Sequence, residues 1–280
     1  MKKLLLLLTT FILATFVLTA CGDGEAENNN ANSNDNSEAL SEESLKVGVT
    51  AGPHEEFFDI VKDLAAEDGL EIELVTFSDY VMPNTALAEG EIDMNSYQHE
   101  PFLIEYNEDH NTDLTAVFPT LLSAIGVYSN DVEEIEDTPE GAEIGIPNDP
   151  SNSSRALLLF QEAGLIKLDE DKQENPTPLD IVENERNVEF LELDAAQIPK
   201  MLDEVDLAVI NGNFATSNDL DPTTDSIFTE STDSPYVNVL AVRDENKDDP
   251  VIEQIKEYYY TDEVKDYLLE EYNGAYQPAW

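Results

Sequence analysis

The groups in this sequence best placed to do chemistry are one arginine at a helix start and a set of amides and aromatics at strand ends. Arg155 is one of only three arginines, with Arg186 and Arg243. The run 143–146 reads as a strand, Pro147-Asn148-Asp149-Pro150-Ser151-Asn152-Ser153-Ser154 gathers turn and capping residues, and Ala156 to Phe160 continue as a helix. The first turn of a helix leaves backbone N–H groups unpaired, and its dipole favours an anion there. A guanidinium in that turn can take a carboxylate in a two-pronged grip. It can equally pair with one of the many acids as structural glue, and position alone leaves both readings open.

A second group joins aromatics to amides. Phe77-Ser78-Asp79-Tyr80 follows one strand-like run, and Asn95-Ser96-Tyr97-Gln98-His99-Glu100-Pro101-Phe102 is expected to follow another. Tyr80, Tyr97, His99 and Phe102 could wall an apolar slot with polar tips, although Tyr97 and Phe102 could as well be core packing. Asn211-Gly212-Asn213 ends a third strand and Asn238 lies in a further extended run. One amide side chain can accept from an ammonium and donate to a carboxylate, as recognition of an amino acid requires. Turn formation is the plain alternative for Asn211, and a strand position for Asn238.

Enzyme and metal signatures are largely missing. No Gly-x-Ser-x-Gly elbow, phosphate-binding glycine loop, paired-cysteine motif or His-Glu-x-x-His occurs. Three scattered histidines, His54, His99 and His110, are poor material for a zinc or manganese site. Asp219, Asp221, Asp225 and Glu230 loosely echo a calcium loop, but Thr224 stands where glycine is needed, and an acidic surface loop is the better reading.

The elements that must position these residues alternate. Strand-like runs cover 45–49, 71–76, 114–117, 124–128, 143–146, 188–193, 207–210 and 237–242. Helix-like segments lie near 55–67, 83–88, 101–108, 151–163 and 195–204, the last with a capping box of Asp194 and Gln197. Two helices near 250–259 and 261–272 close the chain, and no internal repeat is evident. Such alternation predicts an α/β fold of mostly parallel sheets flanked by helices. An extended run at 124–128, and a return near 236–242 after the polar loop 216–234, predict two crossings between two lobes. Lobe 1 is expected at 45–125 plus 238–280, and lobe 2 at 126–237. Ligands of open α/β sheets bind beyond the carboxyl ends of strands, so the cleft is where to look.

At the N-terminus, Lys2 and Lys3 precede an apolar run that ends at Leu18-Thr19-Ala20-Cys21. This reads as a signal peptide over 1–20, too short for a comfortable membrane span. Cys21 is the only cysteine and sits at the cut, which marks it for lipidation and excludes an internal disulfide. The Asn-, Ser- and Glu-rich stretch that follows, within 21–44, has little to bury and reads as a disordered tether. The chain carries 13 Lys and Arg against 62 Asp and Glu, a net charge of −49. A polyanion partner would find no basic surface, so nucleic acid is excluded, and the acids read as a coat suited to a salty exterior.

Taken together, the Leu-Thr-Ala-Cys box, Lys46-Val47-Gly48-Val49-Thr50-Ala51-Gly52-Pro53-His54, Phe77-Ser78-Asp79-Tyr80, Asn95-Ser96-Tyr97-Gln98-His99, Ile146-Pro147-Asn148-Asp149-Pro150, Ser154-Arg155-Ala156-Leu157-Leu158-Leu159, Pro178-Leu179-Asp180-Ile181-Val182-Glu183-Asn184 and Ala208-Val209-Ile210-Asn211-Gly212-Asn213 resemble the NlpA family of methionine-binding lipoproteins. The resemblance runs over the whole body from Leu45 to Trp280. It implies a two-lobed binding-protein fold with two hinge crossings, no cofactor, and a substrate-binding lipoprotein of an ABC importer that passes methionine to a permease with its ATPase. It further implies that Arg155, helped by Asn152, holds the ligand carboxylate. Asn213 and Asn238 would hold the α-amino and carboxylate groups, and Tyr80, Tyr97, His99 and Phe102 would line the side-chain slot. Tyr97 and Phe102 look like the family's Phe/Tyr pair with the hydroxyl moved, and Ser153-Ser154 stands in place of a frequent Gly-Gly. Another amino acid or a methionyl dipeptide is the nearest alternative ligand, and a small-molecule hydrolase on a similar scaffold the alternative from another class.

Overall fold

The computed structural model describes residues 39–231 and 233–280, so the expected signal peptide at 1–20 and the expected lipidation site Cys21 lie outside the described residues. The folded body begins earlier than the expected end of the tether. Leu40 is buried in the core and its N–H donates to Asp249 Oδ2 at 2.9 Å, and the first strand opens at Ser44.

In chain order the strands are β1 Ser44–Thr50, β2 Glu71–Phe77, β3 Met94–His99, β4 Leu114–Ser123, β5 Ile125–Tyr128, β6 Glu143–Pro147, β7 Lys167–Leu168, β8 Ile181–Glu183, β9 Glu189–Leu193, β10 Leu207–Asn211, β11 Phe228–Thr229, β12 Val237–Arg243 and β13 Tyr276–Pro278. The helices are α1 Pro53–Glu67, α2 Met82–Ala88, α3 Glu100–His110, α4 Pro150–Glu162, α5 Gly212–Thr216, α6 Pro250–Tyr259 and α7 Asp262–Glu271. A six-stranded sheet has the order β13-β4-β12-β3-β1-β2, and a five-stranded sheet the order β11-β5-β10-β6-β9.

Both sheets are mixed, more so than the sequence pattern suggests. The parallel pairs are β1 with β2 and β3 in one, and β6 with β9 and β10 in the other. β4, β5, β11, β12 and β13 run antiparallel to their neighbours. The chain passes from the first sheet to the second between Ser123 and Ile125, through Ala124, and returns between β11 and β12. The expected return near 236–242 is therefore β12 itself, with the crossing just before it.

Each sheet is covered on both faces. Phe57, Phe58, Val61, Ile255, Tyr259 and Leu268 of α1, α6 and α7 pack on one side of the first sheet. Leu87 of α2 and Leu103 and Tyr106 of α3 pack on the other. In the second sheet, Ala156, Leu157 and Phe160 of α4 cover one face, and Ile198, Phe214 and Ala215 the other. Double coverage explains the continuous apolar run of β10, buried at every position. One expected helix does not form. Pro199 lacks an N–H and interrupts 195–204, leaving only a 3-10 turn at Ile198–Met201, and Asp194 accepts from Ala196 N in a local turn without the capping box.

Candidate functional site

A pocket lies between the two sheets and is lined by residues from both. Its walls bring together all eight side chains singled out from the sequence: Tyr80, Tyr97, His99, Phe102, Asn152, Arg155, Asn213 and Asn238. His54, Gln98, Ser123 and Asn211 complete the lining.

The first sheet supplies the aromatics. Asn95 to His99 are the strand β3, not the loop after it, and every residue of the strand is buried despite its polar sequence. That is possible because Asn84, Asn95 and Gln98 satisfy one another: Asn84 Nδ2 donates to Gln98 Oε1 at 2.7 Å, Gln98 Nε2 to Asn84 Oδ1 at 2.6 Å and Asn95 Nδ2 to Asn84 Oδ1 at 2.9 Å. The network locks α2 against β3 and so fixes Tyr97 and His99. Tyr97 donates its hydroxyl to Tyr80 O at 2.5 Å, which consumes the polar tip and leaves ring faces for the cavity. Tyr80 stands 5.9 Å from both Tyr97 and Phe102 between ring centroids, and 4.7 Å from Phe214.

His99 caps α3. Its Nδ1 accepts the Phe102 N–H at 3.1 Å, so the proton sits on Nε2 and is donated to Asn152 Oδ1 at 3.2 Å on the opposite side. His54 has the other tautomer. Its Nε2 accepts from Asn238 Nδ2 at 3.0 Å, so Nδ1–H faces Thr50 Oγ1 at 2.7 Å. Burial lowers the pKa of each to about 3, helped at His99 by the nearby Arg155 charge, so both rings are neutral. Burial likewise pushes the Tyr80 and Tyr97 phenols well above their usual range.

The second sheet supplies the polar end. Asp149 caps α4 by accepting Asn152 N at 2.9 Å, and Pro150 occupies the first helical turn. This turns Asn152 and Arg155 inward, both nearly fully buried. Asn152 is committed within the protein: Oδ1 takes His99 and Asn211 Nδ2 (2.8 Å), and Nδ2 donates to Asp149 at 2.8 Å. Gly212 separates Asn211 and Asn213 because the first crossing touches it there. A side chain at 212 would stand 2.5 Å from Ser123 Oγ and 2.8 Å from Ala124 O.

Both readings of Arg155 coexist. Nε donates to Glu230 Oε1 at 2.9 Å, Nη2 donates to Glu230 Oε2 and, at 3.0 Å, to Ser123 O, and the Tyr236 ring lies 4.6 Å from the guanidinium carbon. Among the described residues nothing pairs with Nη1, and the arginine still lines the cavity. The arginine thus offers a single nitrogen, not the two-pronged fork expected. Four further polar atoms are open. Asn213 Nδ2, Asn211 Oδ1 and Ser123 Oγ are buried without a partner, and Asn238 spends its Nδ2 on His54 and Tyr97 O, leaving Oδ1 free. Two donors, two acceptors and one hydroxyl therefore belong to residues that line the cavity.

Sequence reading missed His54, Gln98 and Ser123 as lining residues and Glu230 as the partner of Arg155. His54 stood inside a quoted motif but far along the chain from Asn238, and Glu230 was grouped with an acidic loop. Only the fold brings Glu230 onto α4, 75 residues away. Among the described residues no cluster of His, Cys, Asp and Glu could hold a metal.

Comparison with known proteins places this geometry in context. Relatives include the probable D-methionine-binding lipoprotein MetQ of Vibrio cholerae, 40% identical over 95% of this chain and 94% of its own length. D-methionine-binding lipoprotein MetQ of Escherichia coli K12 is 37% identical over 96% and 95%. A nutrient-binding protein of Burkholderia cenocepacia, solved bound to methionine, superposes with a TM-score of 0.83 at 42% identity, covering 84% of this chain and all of that one. The fold is the two-lobed α/β architecture of these binding proteins. The family model for NlpA lipoprotein matches residues 45–280, and the chain belongs to that family.

Proposed function

We propose that the chain captures methionine outside the membrane and delivers it to an ABC permease driven by a cytoplasmic ATPase. The observation that carries this is the complement of open polar atoms in one cavity. Arg155 Nη1 and Asn213 Nδ2 donate to the ligand carboxylate, and Asn238 Oδ1 and Asn211 Oδ1 accept from its ammonium. Tyr80, Tyr97, His99 and Phe102 then enclose the thioether, and Asn152 orients the clamp through His99 and Asn211. Relatives named for methionine binding, and one solved with methionine bound, support the same side chain.

The mechanism is differential binding. Residues 45–125 with 238–280 act as lobe 1 and 126–237 as lobe 2, and a ligand touching both favours the closed form that docks on the permease. Arg155 binds and turns nothing over; binding, not catalysis, is the activity. The described residues contain no helix long and apolar enough to cross a membrane, and attachment is assigned to a lipid on Cys21 after removal of 1–20. The test is mass spectrometry of small molecules released from protein purified under native conditions, followed by calorimetry on the stripped protein. Recovery of methionine and its rebinding at one per chain is expected. Absence of binding by any free amino acid would overturn the assignment.

A further inference from the structure

Glu230 follows β11 and is only 10% exposed, yet it does not line the cavity. It lies behind Arg155, taking Nε and Nη2, and is itself held by Ser234 Oγ, which donates to Oε1 at 2.9 Å. We infer that Glu230 is a specificity-determining residue: by cancelling the charge of Arg155 it tunes the cavity to a zwitterion and against the corresponding anion. The inference rests on the amino-acid reading above and adds to it a reason for the ligand's charge state.

The charge balance is simple. Arg155 is the one permanently charged side chain among the described lining residues, since His54 and His99 are neutral and the rest are amides, phenols, a serine and a phenylalanine. The other acids close by are spent on backbone and capping bonds: Asp149 accepts from Asn152 N, Asn152 Nδ2 and Ser151 Oγ, Glu105 from Ser151 N, and Asp79 from Val81 N and Met82 N. An unopposed guanidinium in a water-poor cavity would attract any carboxylate, with or without an ammonium on the same molecule. Paired with Glu230, it still donates through Nη1 but contributes no surplus positive charge. The ammonium of an amino acid then meets neutral amide oxygens without facing a net cation. Arg155 grips; Glu230 makes the grip charge-neutral.

Three ligands with one side chain test this by calorimetry: methionine, its hydroxy-acid analogue (an anion overall) and methionine amide (a cation overall). The native protein should prefer methionine to both by roughly tenfold or more. In Glu230→Gln the ratio of hydroxy-acid to amide affinity should rise by on the order of tenfold or more, because a negative charge one guanidinium away has gone. Glu230→Asp, which keeps the charge, should retain the native ratio. An unchanged ratio in a folded Glu230→Gln protein, or a ratio that moves equally in Glu230→Asp, overturns the inference. Should Glu230→Gln not fold, the native arm decides, since hydroxy acid binding as tightly as methionine also overturns it. Native protein that binds no methionine would instead sink the functional reading, which separates the two failures.

Discussion

The Tyr80 hydroxyl donates to Asn213 Oδ1 at 2.5 Å, joining the loop after β2 of the first sheet to α5 at the end of β10 in the second. This bond fixes which way the Asn213 amide faces. With Oδ1 taken, Nδ2 must point to the cavity, where it has no other partner. Tyr80→Phe removes the bond and lets the amide turn over. Methionine affinity should fall by about 1–2 kcal/mol, the cost of a neutral hydrogen bond with its partner left buried. Calorimetry decides; unchanged affinity would show that Tyr80 is packing only.

Arg155→Ala should damage binding and stability together. Losing the carboxylate partner costs about 2–5 kcal/mol of affinity. Leaving Glu230 buried and unpaired costs a further 3–5 kcal/mol of stability, roughly. The double variant Arg155→Ala with Glu230→Ala should recover much of the melting temperature and none of the binding. Thermal melts with calorimetry on the three proteins separate the roles; a double variant no more stable than the single would refute the pairing argument.

The two buried histidines should make stability fall with acid. Each has a folded pKa of about 3 against about 6.5 unfolded, so between those values the unfolded chain binds more protons. Their contribution is complete above pH 6.5 and is lost as pH falls towards 3, by up to about 1.4 kcal/mol per pH unit for each ring. Ring nitrogen shifts by NMR should report neutral His54 (Nδ1–H) and neutral His99 (Nε2–H) down to pH 5. Protonation of either ring near pH 6.5 would contradict the burial argument.

Selectivity should follow from polar atoms already spent. The Tyr80 and Tyr97 hydroxyls are bonded to Asn213 and to Tyr80 O, and Gln98 is tied to Asn84 and Asn95. The donors in the aromatic part of the cavity are all spent, so none is left for the carbonyl of a polar ligand side chain. Norleucine should bind more weakly than methionine by about 0.3–1.5 kcal/mol, the worth of sulfur–aromatic contact. Glutamine should lose at least roughly 1–3 kcal/mol more through an unpaired buried amide. Glutamine binding on a par with methionine, in a competition titration, would remove the methionine assignment and leave the amino-acid clamp.

Local chemistry was legible in the linear sequence wherever a short segment carries its own physical reason. Asp149-Pro150 had to start a helix and the apolar run of β10 had to be a buried strand, whereas Arg155, expected in the first turn, is the sixth residue of α4 and lies in its second turn, because the helix opens at Pro150. Those constraints act over a few residues, so spacing reveals them. The polar strand β3 was hidden because its amides are satisfied by α2, a condition no hydrophobic period records. Pro199 was the local signal that should have stopped the expected helix at 195–204. Which nitrogen of Arg155 remains for a ligand, which tautomer His54 and His99 hold, and which amide atoms face inward were decided by tertiary structure alone. Hydrogen-bond capacity is finite, and only the folded chain shows which partners, 75 residues away for Glu230 and 184 for His54 with Asn238, have already used it.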